Sequence, residues 1–431
     1  MSTLTFGELV ALHAPVRRLH HVQEDMSLST LATGAAELAA ELAATELAPN
    51  MLAALPQPLV LRILAALPPD ARARCACVSR AWCALVADES LWLRLDLKPA
   101  RPSARAVRVT DAFLRGAAAR AGGRLCALDM RCCSGFTYDT LLAVVTANAG
   151  SLRELRCTST GLFAPDLLCI QLEALVRAAP ALRMLEARVV CMDVAEARRV
   201  LQYGRPAGPL RDSILWVECE DADEAALAAL AADLSQQDTL KALTLSDSSL
   251  GEMPAAADAL MDAFLAARTL RSLSFSCCLL SPASGAALAR LLRGGALIEL
   301  FIYNGNAQLL DAPTARLLAA ALRDNTQLRK LWLYGVDLWR EPAAALEVLG
   351  ALTGHPTVRN LSFLGNDCPL ADCAAALARL VAANSAALRT LSVSGCRLGD
   401  VGLRPLFEVL PTNTQLHELT CSSNDMSADF A

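Results

Sequence analysis

Lysine is almost missing. The 431-residue chain contains Lys98, Lys241 and Lys330 only, and takes nearly all its positive charge from arginine. Basic residues are also outnumbered: the net charge is −5, which leaves no electrostatic footprint for nucleic acid. No run of eighteen uncharged apolar residues occurs, so no membrane-spanning helix is expected. The N-terminal stretch lacks a basic segment followed by an apolar core, so no secretory signal is expected there. Histidine is rare, and His13, His20, His21, His355 and His417 do not pair with cysteines at zinc spacing. No Walker loop, Gly-x-Ser-x-Gly elbow or His-Glu-x-x-His motif is present. These gaps argue against an enzyme and against a metal or other cofactor, and they point to a protein that works by binding. The sixteen cysteines stand singly or in adjacent pairs rather than in a disulfide framework. That pattern points to reduced thiols in the cytoplasm or nucleus.

What the chain does have is concentrated first between Leu55 and Trp92, in LPQPLVLRILAALPPDARARCACVSRAWCALVADESLW. Leu55-Pro56 opens a helix, where proline costs little. Leu59, Ile63 and Leu67 fall at i, i+4 and i+8 with Leu64 beside them, which predicts one apolar stripe. Pro68-Pro69-Asp70 stops that helix and caps the next. Val78-Ser79 turns the chain, and Trp82, Leu85 and Val86 repeat at helical spacing. So small a three-helix unit carries more large apolar side chains than it can bury within itself. Cys75 and Cys77 with Cys83 fit small core positions better than a metal site.

The order Leu-Pro, Ile-Leu, Leu, Val-Ser-Arg-x-Trp, Leu-Trp resembles the F-box, with Ala71 where a second leucine is usual. The resemblance implies docking onto a Skp-type adaptor and, through it, a cullin–RING ubiquitin ligase. Leu55, Pro56, Leu59, Ile63, Leu64, Cys77, Val78 and Trp82 would then face or shape the adaptor contact. The competing reading is an unrelated three-helix cap on the downstream domain.

Downstream, the pattern leucine, two residues, leucine, one residue, leucine recurs. It starts at 125, 152, 182, 240, 270, 297, 328, 358, 388 and 416, and a degenerate copy, Asp212/Leu215/Val217, fills the long gap after 182. About eleven repeats result. Cys133, Cys278, Asn366, Cys396 and Asn424 occupy the position eight residues past the first leucine, where a polar side chain bonds the turn. Two residues later an apolar residue returns, at Leu162, Leu250, Leu280, Leu338, Leu398 and Met426. Helical stretches lie between the strand segments, for example 254–267, 165–179, 282–293, 313–323 and 342–352. A strand plus a full helix every 28 or so residues resembles ribonuclease-inhibitor-type leucine-rich repeats. The expected fold is therefore α/β: an N-terminal three-helix F-box, then a horseshoe with parallel strands inside and helices outside.

The expected division is 1–50 partly helical and loosely held, 51–97 F-box, 98–122 linker and docking helix, and 123–431 repeats. Residues 203–209 read as a longer loop, and the last repeat lacks a closing helix, which would leave its edge exposed or met by a partner. Strand alternation sends the leucines inward and their neighbours to the concave face. The early repeats put charges there, including Arg131, Arg156 and Arg188; the middle ones put serine and threonine. Phe301 and Tyr303 then stand beside Trp332 and Tyr334, with Trp216 as a further candidate. Four clustered aromatics in a chain with 4% aromatic residues suit a protein-target site; the alternative is a ladder that only stiffens the sheet. Two functions fit: a substrate receptor of an SCF-type ligase, or a non-catalytic scaffold or decoy that binds adaptor or partner without promoting ubiquitination.

Overall fold

The computed structural model describes residues 55–98, 107–157, 167–205, 208–246, 248–278, 282–303, 312–336, 339, 342–367 and 371–427. The N-terminal segment 1–50, with its Arg17-Arg18 and His20-His21 cluster, lies outside them, as do Leu162, Leu280 and Leu338. The chain divides into two compact units, 1–152 and 153–431.

The first unit opens with α1 (Gln57–Ala66), α2 (Pro69–Cys75), α3 (Arg80–Val86) and a 3₁₀ turn at Glu89–Trp92. Pro68 is the N-cap of α2, so Pro69 and Asp70 lie inside that helix and Asp70 is not the cap. Ser79 caps α3 by accepting the Trp82 N–H at 3.2 Å. Of the expected stripe Leu59, Ile63, Leu64 and Leu67, Leu64 and Leu67 are buried together with Val60, while Leu59 and Ile63 are half-buried, so the buried face is rotated one position. Trp92, with no exposed surface, is the hub; its Nε1–H donates to the Val86 carbonyl at 2.7 Å. Arg72 is 4% exposed, donates from Nε to Leu67 O at 2.9 Å and from a terminal nitrogen to Leu91 O, and stacks 5.3 Å from the Trp92 centroid. Burial lowers the pKa of this guanidinium, partly offset by Asp96.

The unit continues with β1 (Arg94–Asp96), β2 (Val107–Arg108), α4 (Asp111–Arg120), β3 (Ala127–Asp129), β4 (Cys133–Ser134) and α5 (Tyr138–Ala147). β1 runs parallel to β3 with Leu95 opposite Leu128, and β2 pairs with β4. The helix α4 lies in the stretch expected as linker and docking helix, 98–122, whereas the repeat-like strand β1 lies within 51–97, expected as F-box helices alone. The signal was Leu93-Arg-Leu95-Asp-Leu97, a period-2 run whose Leu95 and Leu97 are buried.

The second unit contains β5 (Glu154–Arg156), β6 (Leu167–Leu168), α6 (Cys169–Ala178), β7 (Met184–Glu186), β8 (Arg188–Cys191), α7 (Val194–Gln202), β9 (Ser213–Glu218) and α8 (Glu224–Ser235). It goes on through β10 (Leu240–Ser246), α9 (Pro254–Ala266), β11 (Ser272–Ser276), α10 (Pro282–Gly294), β12 (Glu299–Tyr303) and α11 (Ala312–Asp324). β13 (Lys330–Tyr334), α12 (Pro342–Leu352), β14 (Asn360–Ser362), α13 (Ala371–Ala382), β15 (Thr390–Ser392), α14 (Gly399–Val409) and β16 (Glu418–Thr420) complete it. Ten strands form one sheet in the order β16 to β8 and then β6, with every pairing parallel. The architecture is the expected α/β one of parallel strands alternating with helices.

One register differs from expectation. Leu215 aligns with Val189 of β8 rather than with Leu185, while β7 pairs with β5 and meets the next turn through a bridge between Leu185 and Leu210 and through the Ser213 hydroxyl, which donates to Leu185 O at 3.2 Å. The extra strand β8 absorbs the long spacing after 182. At the end of α7, buried polar side chains bond the backbone: Thr239 Oγ1 donates to Gly204 O at 3.0 Å and Gln237 Nε2 to Leu201 O at 2.9 Å. At the β16 edge the repeat leucines Leu416, before the strand, and Leu419, within it, are only half-buried, unlike their equivalents in the middle of the sheet.

The turn positions behave as the sequence predicts, by bonding the preceding repeat. Asn366 Nδ2 donates to Leu333 O at 2.6 Å while its Oδ1 accepts the Val336 N–H at 3.0 Å. Asn424 does the same with Val393 O and Cys396 N. The Cys278, Cys396 and Cys133 thiols donate to Leu245, Phe363 and Leu97 carbonyls at 3.3, 3.1 and 3.2 Å. Burial pushes the Cys133 pKa up to about 12 and that of Cys396 to about 11, so both stay protonated donors. Leu250 and Leu398 return to the core as expected, whereas Met426 is 41% exposed.

Candidate functional sites: a helical apolar face and an aromatic sheet face

In the first unit, the one-position rotation of α1 decides what is left outside. Leu64, 1% exposed, is core and supports the surface from beneath. Leu55, Leu59 and Ile63 are half-buried and Pro56 is exposed. Where α2 turns into α3, Cys77 and Val78 are exposed, Val78 at 45%, and Trp82 is half-buried. The cap at Ser79 fixes that corner. The seven outer residues of the expected adaptor set therefore retain accessible surface, while Trp92 and Arg72 hold the scaffold.

In the second unit, one face of the large sheet carries the alternate strand residues. Phe301 lies opposite Trp332 and Tyr303 opposite Tyr334 in the parallel register. Their rings form one connected cluster. Phe301 meets Trp332 edge-on at 5.2 Å between centroids, Tyr303 meets Trp332 at 6.4 Å and Tyr334 at 6.2 Å, and Phe301 stacks on Tyr303 at 6.2 Å. Edge-to-face contacts of this kind are favourable beyond simple burial. Trp332 and Tyr334 remain 37% and 43% exposed. Burial raises the Tyr303 pKa, so its hydroxyl stays neutral. Ser274 and Ser276 flank the cluster on β11, and Ser362 lies beside Trp332 on β14. Leu364, 36% exposed, extends the apolar area.

Trp216 does not join this cluster. It lies in register with Thr244, then Ser274, then Phe301, three strands away. Its Nε1–H donates to Glu218 at 2.8 Å and to Ser246 at 3.0 Å, and Arg188 stacks on it at 5.8 Å. Among the early charged positions, Arg131 grips Asp129 with two bonds of 3.0 and 2.7 Å, and Arg156 lies 3.8 Å from Glu186. These charges largely satisfy each other.

The sequence reading missed an acidic rim. A hollow of about 330 Å³ is lined by Met192, Asp193, Glu218, Glu220, Asp221 and small apolar residues. The signal was the acid-rich run Glu218-Cys-Glu-Asp-Ala-Asp-Glu224. Among the described residues no cluster of His, Cys, Asp and Glu could hold a metal ion, and no helix is long and apolar enough to cross a membrane.

No curated protein sequence matches the chain. The solved structures that share weak similarity include two of note. One is a yeast Rad7–Elc1 complex, at 16% identity and a TM-score of 0.45, over 88% of this chain and 87% of that one. The other is a Caenorhabditis elegans tropomodulin C-terminal domain, at 17% identity and a TM-score of 0.30, over 37% of this chain and 91% of that one. The family comparison is local: residues 52–98 match the F-box-like family, so the helical unit built around Trp92 is an F-box-like domain.

Proposed function

We propose that this chain is the substrate-recognition subunit of an SCF-type ubiquitin ligase and is not itself an enzyme. The F-box-like domain seats a Skp-type adaptor and, through it, a cullin. The open face of the repeat sheet holds a protein target, with Phe301, Tyr303, Trp332 and Tyr334 as anchors. The observation that carries this reading is that Leu59, Ile63, Val78 and Trp82 stay accessible on a domain whose core is already complete. Exposed clustered apolar side chains mark interaction surfaces. The thiol donors Cys133, Cys278 and Cys396 hold backbone carbonyls only when reduced, which suits the cytoplasm or nucleus.

Reconstitution tests the proposal. The purified chain, a Skp-type adaptor and a cullin–RING core are expected to co-migrate as one complex and to support ubiquitin transfer to a protein captured by the repeats. A complex that forms without any transfer favours the scaffold or decoy reading.

A further inference from the structure

The strand register places the aromatic cluster and the acidic rim on one line. Tyr334 lies opposite Tyr303, Tyr303 opposite Ser276, Ser276 opposite Ser246, and Ser246 opposite Glu218. Glu218 is at once the last residue of β9 and a wall of the hollow. Between the two ends the row holds only serines, small and uncharged. Glu220 and Asp221 are exposed beyond it, and no cationic side chain is among the residues lining the hollow. Met192, 62% exposed, gives the same rim an apolar lip.

We infer that this row binds an extended segment of a partner protein that carries a basic residue at one end and a large apolar residue at the other. The inference rests on the target-capture reading above and supplies its chemistry. Adjacent strands lie about 4.8 Å apart, so Tyr303 stands about 14 Å and Tyr334 about 19 Å from Glu218. An extended chain covers about 3.3–3.6 Å per residue, which puts the cation about four to six residues from the apolar anchor. Ser276, half-buried, leaves room for a main chain and offers it a hydroxyl, whereas Ser246 is buried, with its hydroxyl bonded to Val217 O, Glu218 and Trp216. The aromatic rings touch one another, so they present faces and edges rather than an open cage; an aliphatic, proline or aromatic side chain fits them better than an enclosed cation. The exposed carboxylates attract lysine or arginine and repel an acidic segment.

Phage-displayed random peptides selected on the full-length protein test this. Enriched peptides are expected to carry Lys or Arg about four to six residues from Leu, Met, Pro or an aromatic. As synthetic peptides they should bind the Glu220→Arg/Asp221→Arg protein about tenfold more weakly, and changing their cation to Glu should restore affinity for that variant. Trp332→Ala with Tyr334→Ala should weaken them at least as much, with unfolding still a single cooperative transition. Enriched peptides lacking the cation, insensitivity to the charge reversal, or no enrichment on protein that still binds a Skp-type adaptor would each overturn the inference. Obedient peptides on a protein that binds no adaptor would instead overturn the ligase reading and leave this surface standing.

Discussion

Gly365 lies against the edge of the Tyr334 ring. A Cβ on Gly365 would sit 2.6 Å from Tyr334 Cε2 and 3.0 Å from Cδ2, and the glycine has φ +68°, a region side chains rarely adopt. The aromatic surface therefore depends on a backbone position outside its own strands. Gly365→Ala is expected to push the Tyr334 ring off its seat and to cost about 1–2 kcal/mol of stability for the left-handed backbone alone. Chemical denaturation reads the second effect, and capture of partner peptides reads the first. An alanine variant with unchanged stability and capture would show that the ring does not rest there.

Arg72 and Trp92 make a second prediction. Arg72→Ala removes two charged donors from the Leu67 and Leu91 carbonyls and uncovers the Trp92 face, so the F-box-like domain should lose about 3 kcal/mol or more. Trp92→Phe should cost less, about 1 kcal/mol for its bond to Val86 O plus repacking. Urea unfolding, followed by hydrogen exchange within α1 to α3, separates this local loss from one in the repeats.

His355 links stability to pH. It is 4% exposed; its Nε2 bonds Leu322 O at 2.8 Å while Nδ1 faces the N–H groups of Thr357 and Val358 at 3.3 Å each. Those contacts require the neutral ring with its proton on Nε2. Burial lowers the pKa below the ordinary 6.5. The unfolded chain thus binds the proton more readily, and its stabilising contribution is present above pH 6.5 and falls away as pH drops through 6.5 toward the lowered value. Asn325 fills the equivalent place, donating to Leu292 O at 2.6 Å and accepting the Leu328 N–H at 2.7 Å. His355→Asn should keep the bonds and flatten the stability profile between about pH 5 and 7. Thermal unfolding across that window measures it, and an unchanged slope would locate the titration elsewhere.

The turn residues differ in strength by chemistry. Asn366 both donates to and accepts from the preceding repeat, whereas Cys396 offers a weaker S–H donor. Asn366→Ala should destabilise by about 2 kcal/mol, and Cys396→Ala by about 1 kcal/mol or less. Denaturant midpoints for the two variants compare them directly.

Much of this was legible from residue spacing. The leucine offsets placed the strands, the prolines at 254, 282 and 342 placed helix starts, and Asn366 and Asn424 announced the turn bonds. Spacing failed where two phases compete. In α1 the residues Leu59 to Leu64 are nearly all apolar, so period alone could not choose between the Val60/Leu64 and Leu59/Ile63 faces; packing of α1 against α3 and the 3₁₀ turn chose. The strand at Arg94–Asp96 was hidden because its leucines lie inside the F-box-like segment, 52–98. The shift that pairs Leu215 with Val189 arises from an inserted strand, which a consensus pattern does not encode. The isolation of Trp216 depends on counting strands, and the Gly365–Tyr334 contact on knowing which ring falls over which turn.

The central claim is that the half-exposed apolar face on α1 and α3 binds an adaptor, and calorimetric titration of the full-length chain with a purified Skp-type adaptor tests it most directly. Val78→Asp and the pair Ile63→Asp/Trp82→Ala serve as controls. The account predicts saturable binding that each control weakens about a hundredfold or more while the repeats stay folded. No binding by the native chain, or equal binding by the controls, would contradict it.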